Sequence, residues 1–137
     1  MITLDDKQYK ATWLQGFEQT ADILNGESSG RLQSSGKMYL EYVGTYFNHK
    51  GELRRDADCS DWEWDDLFRK LADPVNKHTG SFPFGENQVL EQEVYISQVS
   101  RKLKLITETN KWERVYAVTF TAISPAWLPG GNIKGLK

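Results

Sequence analysis

A chain of 137 residues, 39% hydrophobic and 26% charged, is long enough to bury one core without disulfides, and its composition sets it apart from disordered and membrane-spanning chains. A net charge of −2 supplies no basic field for nucleic acid or anionic lipid, and a lone cysteine, Cys59, excludes an intramolecular disulfide and a multi-cysteine zinc site. No apolar run approaches the roughly 20 residues that span a bilayer, and Met1-Ile2-Thr3-Leu4-Asp5-Asp6 lacks the pattern of a signal peptide, so one cytosolic domain is expected.

In chain order, Ile2–Leu4 and Gln8–Trp13 read as short strands joined by the turn Asp5-Asp6-Lys7, because β-branched and aromatic residues flank a polar tripeptide. Residues 14–24 fit helix or strand by periodicity, and strand is the preferred reading. Residues 25–37 hold three glycines and four serines around one apolar side chain, which is too little apolar surface for a regular element, and a flexible loop is expected. The segment from Met38 to Asn48 is dense in strand formers, with Gly44 a candidate bulge or close backbone contact, and the strand is expected to continue past a turn at Lys50-Gly51 to Leu53.

Ser60-Asp61-Trp62-Glu63 has the form of a capping box and opens a helix near 61–72. Acidic residues crowd its first turns, Arg69 and Lys70 lie toward its end, and Pro74 stops it. Trp64, Leu67, Phe68 and Leu71 form a single stripe for packing on a sheet. Ser81–Gly85 reads as an aromatic turn. Residues 88–123 then read as two long arms around a turn at Thr109-Asn110-Lys111, with Trp112, Arg114, Tyr116, Val118, Phe120 and Ala122 on one face and a polar tip extending beyond the core. The domain is expected to end near residue 128, with 129–137 a flexible tail.

The chemistry-bearing residues are sparse. His49 and His78 fall in predicted turns without metal-helix spacing and read as surface histidines. The acids from Asp56 to Asp66 lack the spacing of a calcium loop and read as a solvated helix N-terminus. No phosphate loop, nucleophile elbow or zinc-protease helix occurs in the sequence, so no catalytic, cofactor-binding or metal residue is assigned and no enzyme is expected. The aromatics are mostly assigned to the core. Trp112, near the hairpin tip, and Trp127, near the C-terminus, are the exceptions, since exposed tryptophans are enriched at subunit interfaces.

Four stretches carry a family resemblance. They are Ala21-Asp22-Ile23-Leu24-Asn25-Gly26-Glu27 followed by Ser29-Gly30-Arg31, Val43-Gly44-Thr45-Tyr46-Phe47-Asn48, Leu71-Ala72-Asp73-Pro74-Val75, and Tyr116-Ala117-Val118-Thr119-Phe120-Thr121-Ala122. Through them the chain resembles small phage and prophage tail structural proteins of Gram-positive bacteria. The resemblance implies a non-enzymatic tube, adaptor or baseplate subunit, made in the host cytoplasm and carried in the virion tail. It also implies a mainly β fold with one α-helix (α+β), as a tail-tube-like antiparallel β-sandwich or split barrel with a long C-terminal β-hairpin. The expected partners are further copies of the chain, in a ring-like homo-oligomer, and other tail proteins, with no membrane and no sequence-specific nucleic acid. Arg31, Leu32, Trp112, Arg114 and Trp127 are the candidate assembly interface. The competing expectation is a carbohydrate- or receptor-binding β-sandwich that stacks ligands on exposed Trp and Tyr.

Overall fold

The computed structural model describes residues 2–25, 30–31, 38–39, 42–106 and 110–137. Its elements are β1 (Ile2–Leu4), β2 (Lys7–Tyr9), β3 (Ala11–Trp13), β4 (Glu18–Asn25), β5 (Gly30–Arg31), β6 (Met38–Tyr39), β7 (Tyr42–Arg55), α1 (Asp61–Ala72), β8 (His78–Pro83), β9 (Val89–Ile106) and β10 (Asn110–Ala122). Eight strands form one antiparallel sheet in the order β2-β1-β8-β9-β10-β7-β3, with β4 also paired to β7. The short strands β5 and β6 pair with each other; β5 lies in the segment 25–37 expected to be a flexible loop, and β6 at the start of the strand expected from Met38. Asn25 of that loop ends β4, and residues 26–29 and 32–37 lie outside the described residues.

The expected sandwich or split barrel is therefore not formed. Period-two alternation reports a strand with one buried face, and it is the same whether a second sheet or a helix covers that face. Here the cover is α1. Its stripe of Trp64, Leu67 and Leu71 is buried in one cluster with Leu53 of β7, Val94 of β9, and Tyr116, Val118 and Phe120 of β10. The Trp64 and Tyr116 rings stack 3.8 Å apart, and the Tyr116 hydroxyl donates to the Trp64 carbonyl at 2.6 Å. Nor is the sheet closed. Lys10 alone separates β2 from β3, which stand at opposite ends of the strand order, yet among the described residues no ladder joins them. The Lys10 N–H donates instead to Glu63 Oε2 at 3.2 Å, and its carbonyl accepts from Asp56 N at 3.1 Å.

The local signals give their elements with corrections at several points. The first turn is the two-residue pair Asp5–Asp6, both at positive φ (51° and 66°), which suits a hairpin turn and the tolerance of Asp for that conformation. Lys7 already belongs to β2, and the strand expected to run from Gln8 to Trp13 breaks at Lys10, where the chain changes partners from β1 to β7. Ser60 caps α1 by accepting from Glu63 N at 3.1 Å, but the Glu63 carboxylate turns to Lys10 N and to Cys59 Sγ (3.2 Å).

No turn occurs at Lys50-Gly51, and β7 runs straight through it. Gly51 makes room instead, because a Cβ there would lie 3.0 Å from the Phe17 ring. The turn expected at Ser81–Gly85 is strand over its first three residues, since β8 runs from His78 to Pro83 with His78, Gly80 and Phe82 alternating inward. In the segment 129–137, Lys137 exchanges backbone hydrogen bonds with Val89 (2.8 and 3.0 Å), and Glu91 N donates to the Gly135 carbonyl at 2.9 Å.

The long hairpin is present, with its turn outside the described residues. Between Arg101↔Tyr116 and Leu103↔Trp112, residues 113–115 of β10 stand opposite Lys102 alone. This bulge bends the hairpin where β10 also leaves β7, whose pairing ends at Val115. Beyond it, the described residues of β9 and β10 have only each other as ladder partners.

Candidate functional site

The sequence-derived interface residues do not converge. Of Arg31 the structure describes only the backbone, in β5, and Leu32 lies outside the described residues. Trp112 is 38% exposed, and its ring faces the Arg101 guanidinium at 4.1 Å, while Phe68 of α1 faces the same group at 4.0 Å. Arg101 also holds Asp65 at 3.0 Å, so a cation between two rings fastens the base of the hairpin to the helix. Arg114 is exposed but donates to the carbonyls of Asp56 (3.0 Å) and Arg55 (3.4 Å). Both side chains thus serve intramolecular contacts at the Arg55 end of β7.

Trp127 lies at the other end of that strand. Thr45 N donates to its carbonyl at 2.8 Å, and its indole N–H donates to Gly131 at 2.8 Å. Around it is an apolar pocket of about 320 Å³ lined by Ile23, Gly44, Thr45, Trp127, Leu128, Pro129 and Gly130. Gly44 permits the close fit, since a Cβ there would sit 2.8 Å from Pro125 Cβ and 3.0 Å from the Trp127 carbonyl. Nearby Leu24 and Val43 are also exposed, so the pocket belongs to a wider apolar surface. The sequence reading found Trp127 and Gly44 separately. Their meeting depends on the isolated bridge between Thr45 and Trp127, which no local pattern announces.

A second concavity of about 370 Å³ crosses the open face of the sheet, where Lys50, Glu52, Gln98, Ser100 and Thr119 surround Ala117. Its lining mixes these polar side chains with Gly16, Gly51, Ala117 and Val118, and none of the lining residues carries an aromatic ring.

The titratable residues serve the core. Both histidines are buried, against expectation. His49 stacks between Phe82 (4.2 Å) and Phe17 (5.6 Å), and burial lowers its pKa from 6.5 to about 4. His78 Nδ1 meets Asp5 Oδ2 at 2.7 Å, and Asp5 also accepts from Thr79 N and pairs with Lys70. Burial works to raise the Asp5 pKa, but the hydrogen bonds from His78, Thr79 and Lys70 outweigh it and hold the carboxyl below its ordinary value. Cys59 is buried, and burial together with the Glu63 carboxylate pushes its thiol up to about 11, the opposite of an activated nucleophile. Among the described residues no group of three or more His, Cys, Asp or Glu is placed to hold a metal ion, and no helix is long and apolar enough to cross a membrane.

Comparison with protein-family models, with curated proteins and with solved structures returns no match.

Proposed function

We propose that this chain is a non-enzymatic structural subunit of a phage or prophage-derived tail, acting by oligomeric assembly as a tube, adaptor or baseplate component. One observation carries the reading. The hairpin arms, 18 and 13 residues long, continue past the last β7 pair at Val115 as a two-stranded ribbon. Such a ribbon is marginal alone in water and gains stability from a partner surface. The resemblance of the four sequence stretches supplies the tail context. In this reading the chain is made in the bacterial cytoplasm and ends in the virion, with copies of itself and other tail proteins as partners.

The glycan-binding alternative draws nothing from the open-face groove, which lacks an aromatic stacking platform. Size exclusion with light scattering across a concentration series, followed by negative-stain microscopy of the heaviest species, tests the proposal. Rings or tubes are the expected result, and a monomer at every concentration is the contrary one.

A further inference from the structure

The free margins of the sheet are not alike. Among the described residues β4 pairs only with β7, so its outer edge presents backbone N–H and C=O groups with no ladder partner. An open edge is a template for a further strand, and proteins blunt such edges with brevity, proline, bulges or lysine. Elsewhere this chain uses those guards. β2 and β3 have three residues each, and β8 ends in Pro83. The stretches of β9 and β10 that run past their β8 and β7 partners hold Arg101, Lys102, Lys104, Lys111 and Arg114. β4 has none of these: Glu18–Asn25 contains no proline, glycine or basic residue, and its register shift against β7 falls after Leu24. Its central charge, Asp22, is engaged by Asn48 Nδ2 of β7.

The distal half of β4 would gain from a partner. β7 parts from β10 at His49, and from Thr20 to Leu24 the strand lies against Asn48 to Gly44, whose far side has only the isolated bridge of Thr45 to Trp127 as backbone pairing. A two-stranded ribbon is marginal in water, and a third strand stabilises it. Thr20 to Leu24 are exposed on both faces, with Ile23 at 61% and Leu24 at 49%. Ile23 is also a wall of the apolar pocket beside Trp127, so apolar surface flanks the open backbone.

We propose that the β4 edge is a self-association site, at which β4 of two copies pairs antiparallel about a two-fold axis at Ala21 and one sheet runs through both. An axis normal to the sheet keeps every residue on its own face, so the ladder must be centred on a residue rather than between two. Centring on Asp22 sets two carboxylates against each other. Centring on Ala21 uses the whole regular stretch Glu18–Leu24 and opposes no like charges, since Ala21 meets Ala21, Thr20 meets Asp22, Gln19 meets Ile23 and Glu18 meets Leu24. A second copy therefore offers an edge of equal length, equally unguarded, in a compatible register. The contact stands apart from the tail reading. It is isologous and closes a dimer, whereas rings or tubes need a further, heterologous contact.

Substitutions at Ala21, which is exposed, test the axis. Ala21→Lys opposes two like charges there and is expected to weaken dimerisation about tenfold or more by sedimentation equilibrium, with an unchanged far-UV circular dichroism spectrum. Ala21→Cys lies within disulfide reach of its own copy and is expected to give a covalent dimer on mild oxidation. Ile23→Cys, facing Gln19, is expected to give none, and native Cys59 is buried away from the reaction.

A wild type that is monomeric at every concentration overturns the contact and the assembly reading together. Dimers that never grow into rings or tubes, weakened by Ala21→Lys, uphold the contact and overturn the tail reading. Assembly that Ala21→Lys leaves unweakened, or cross-linking of Ile23→Cys in place of Ala21→Cys, overturns the contact while the assembly reading stands.

Discussion

At the scale of single residues, the clearest consequence concerns His49. Its imidazole lies between two aromatic rings with Gln19 Nε2 at 2.8 Å, and among the described residues no carboxylate offsets the cost of burying its charged form. The unfolded chain binds that proton below pH 6.5, whereas the folded chain resists it until about 4. The contribution is therefore fully present above pH 6.5 and is lost as pH falls through the window to about 4, at a cost on the order of 3 kcal/mol. Urea unfolding from pH 7 to 4 should show this decline, and His49→Phe should flatten it; an unchanged slope in the variant would remove His49 as its cause. The depressed Asp5 carboxyl also loses stability on acidification, but below its ordinary value of 3.8, outside that window. Neither environment was legible in the sequence. The partners of His49 lie 30 and 43 residues away, and Asp5 lies 73 residues from His78.

At the scale of elements, legibility followed range. Helix α1 was readable almost completely, since its cap, charge gradient, stripe and proline stop all lie within fifteen residues. The exception, Glu63, bonds across 53 residues to Lys10 and so escapes a local rule. In β7 the two glycines look alike in sequence. Gly51 gives space to an aromatic ring, and Gly44 gives space to a returning backbone.

Gly44→Ala should therefore push the 125–127 segment off β7 at a cost of about 1–3 kcal/mol. The expected signature is a lower urea midpoint together with greater acrylamide quenching of tryptophan emission. A variant with wild-type midpoint and quenching would show that the segment yields without cost. The pocket itself was only half legible, because Trp127 and Gly44 stood out individually but their register had no sequence signal.

At the scale of the whole molecule, the sequence conveyed a β-rich domain with one helix and a long hairpin, and the number of layers was the part it left undetermined. One inward face per strand suits a sandwich or a single sheet under a helix equally well. The hairpin makes the assembly proposal testable without touching the core. Replacing residues 104–111 by Asn-Gly joins the paired Leu103 and Trp112 through a two-residue turn. The shortened chain should keep its melting temperature within a few degrees and lose higher-order assembly. Assembly undiminished by the truncation would show that the ribbon is not what joins the subunits.

The corner at Lys10 bears on how such a sheet is completed. Through β1 the opening segment pairs with β8, and through β3 it pairs with the end of β7, so thirteen residues fasten both margins of the sheet at once. They also leave the ribosome before every strand of the sheet they bind beyond their own hairpin, and Leu4 waits seventy-six residues for Gly80. The segment acts as a latch, and wherever it is open both margins, β8 and the end of β7, offer unpaired backbone to neighbouring molecules.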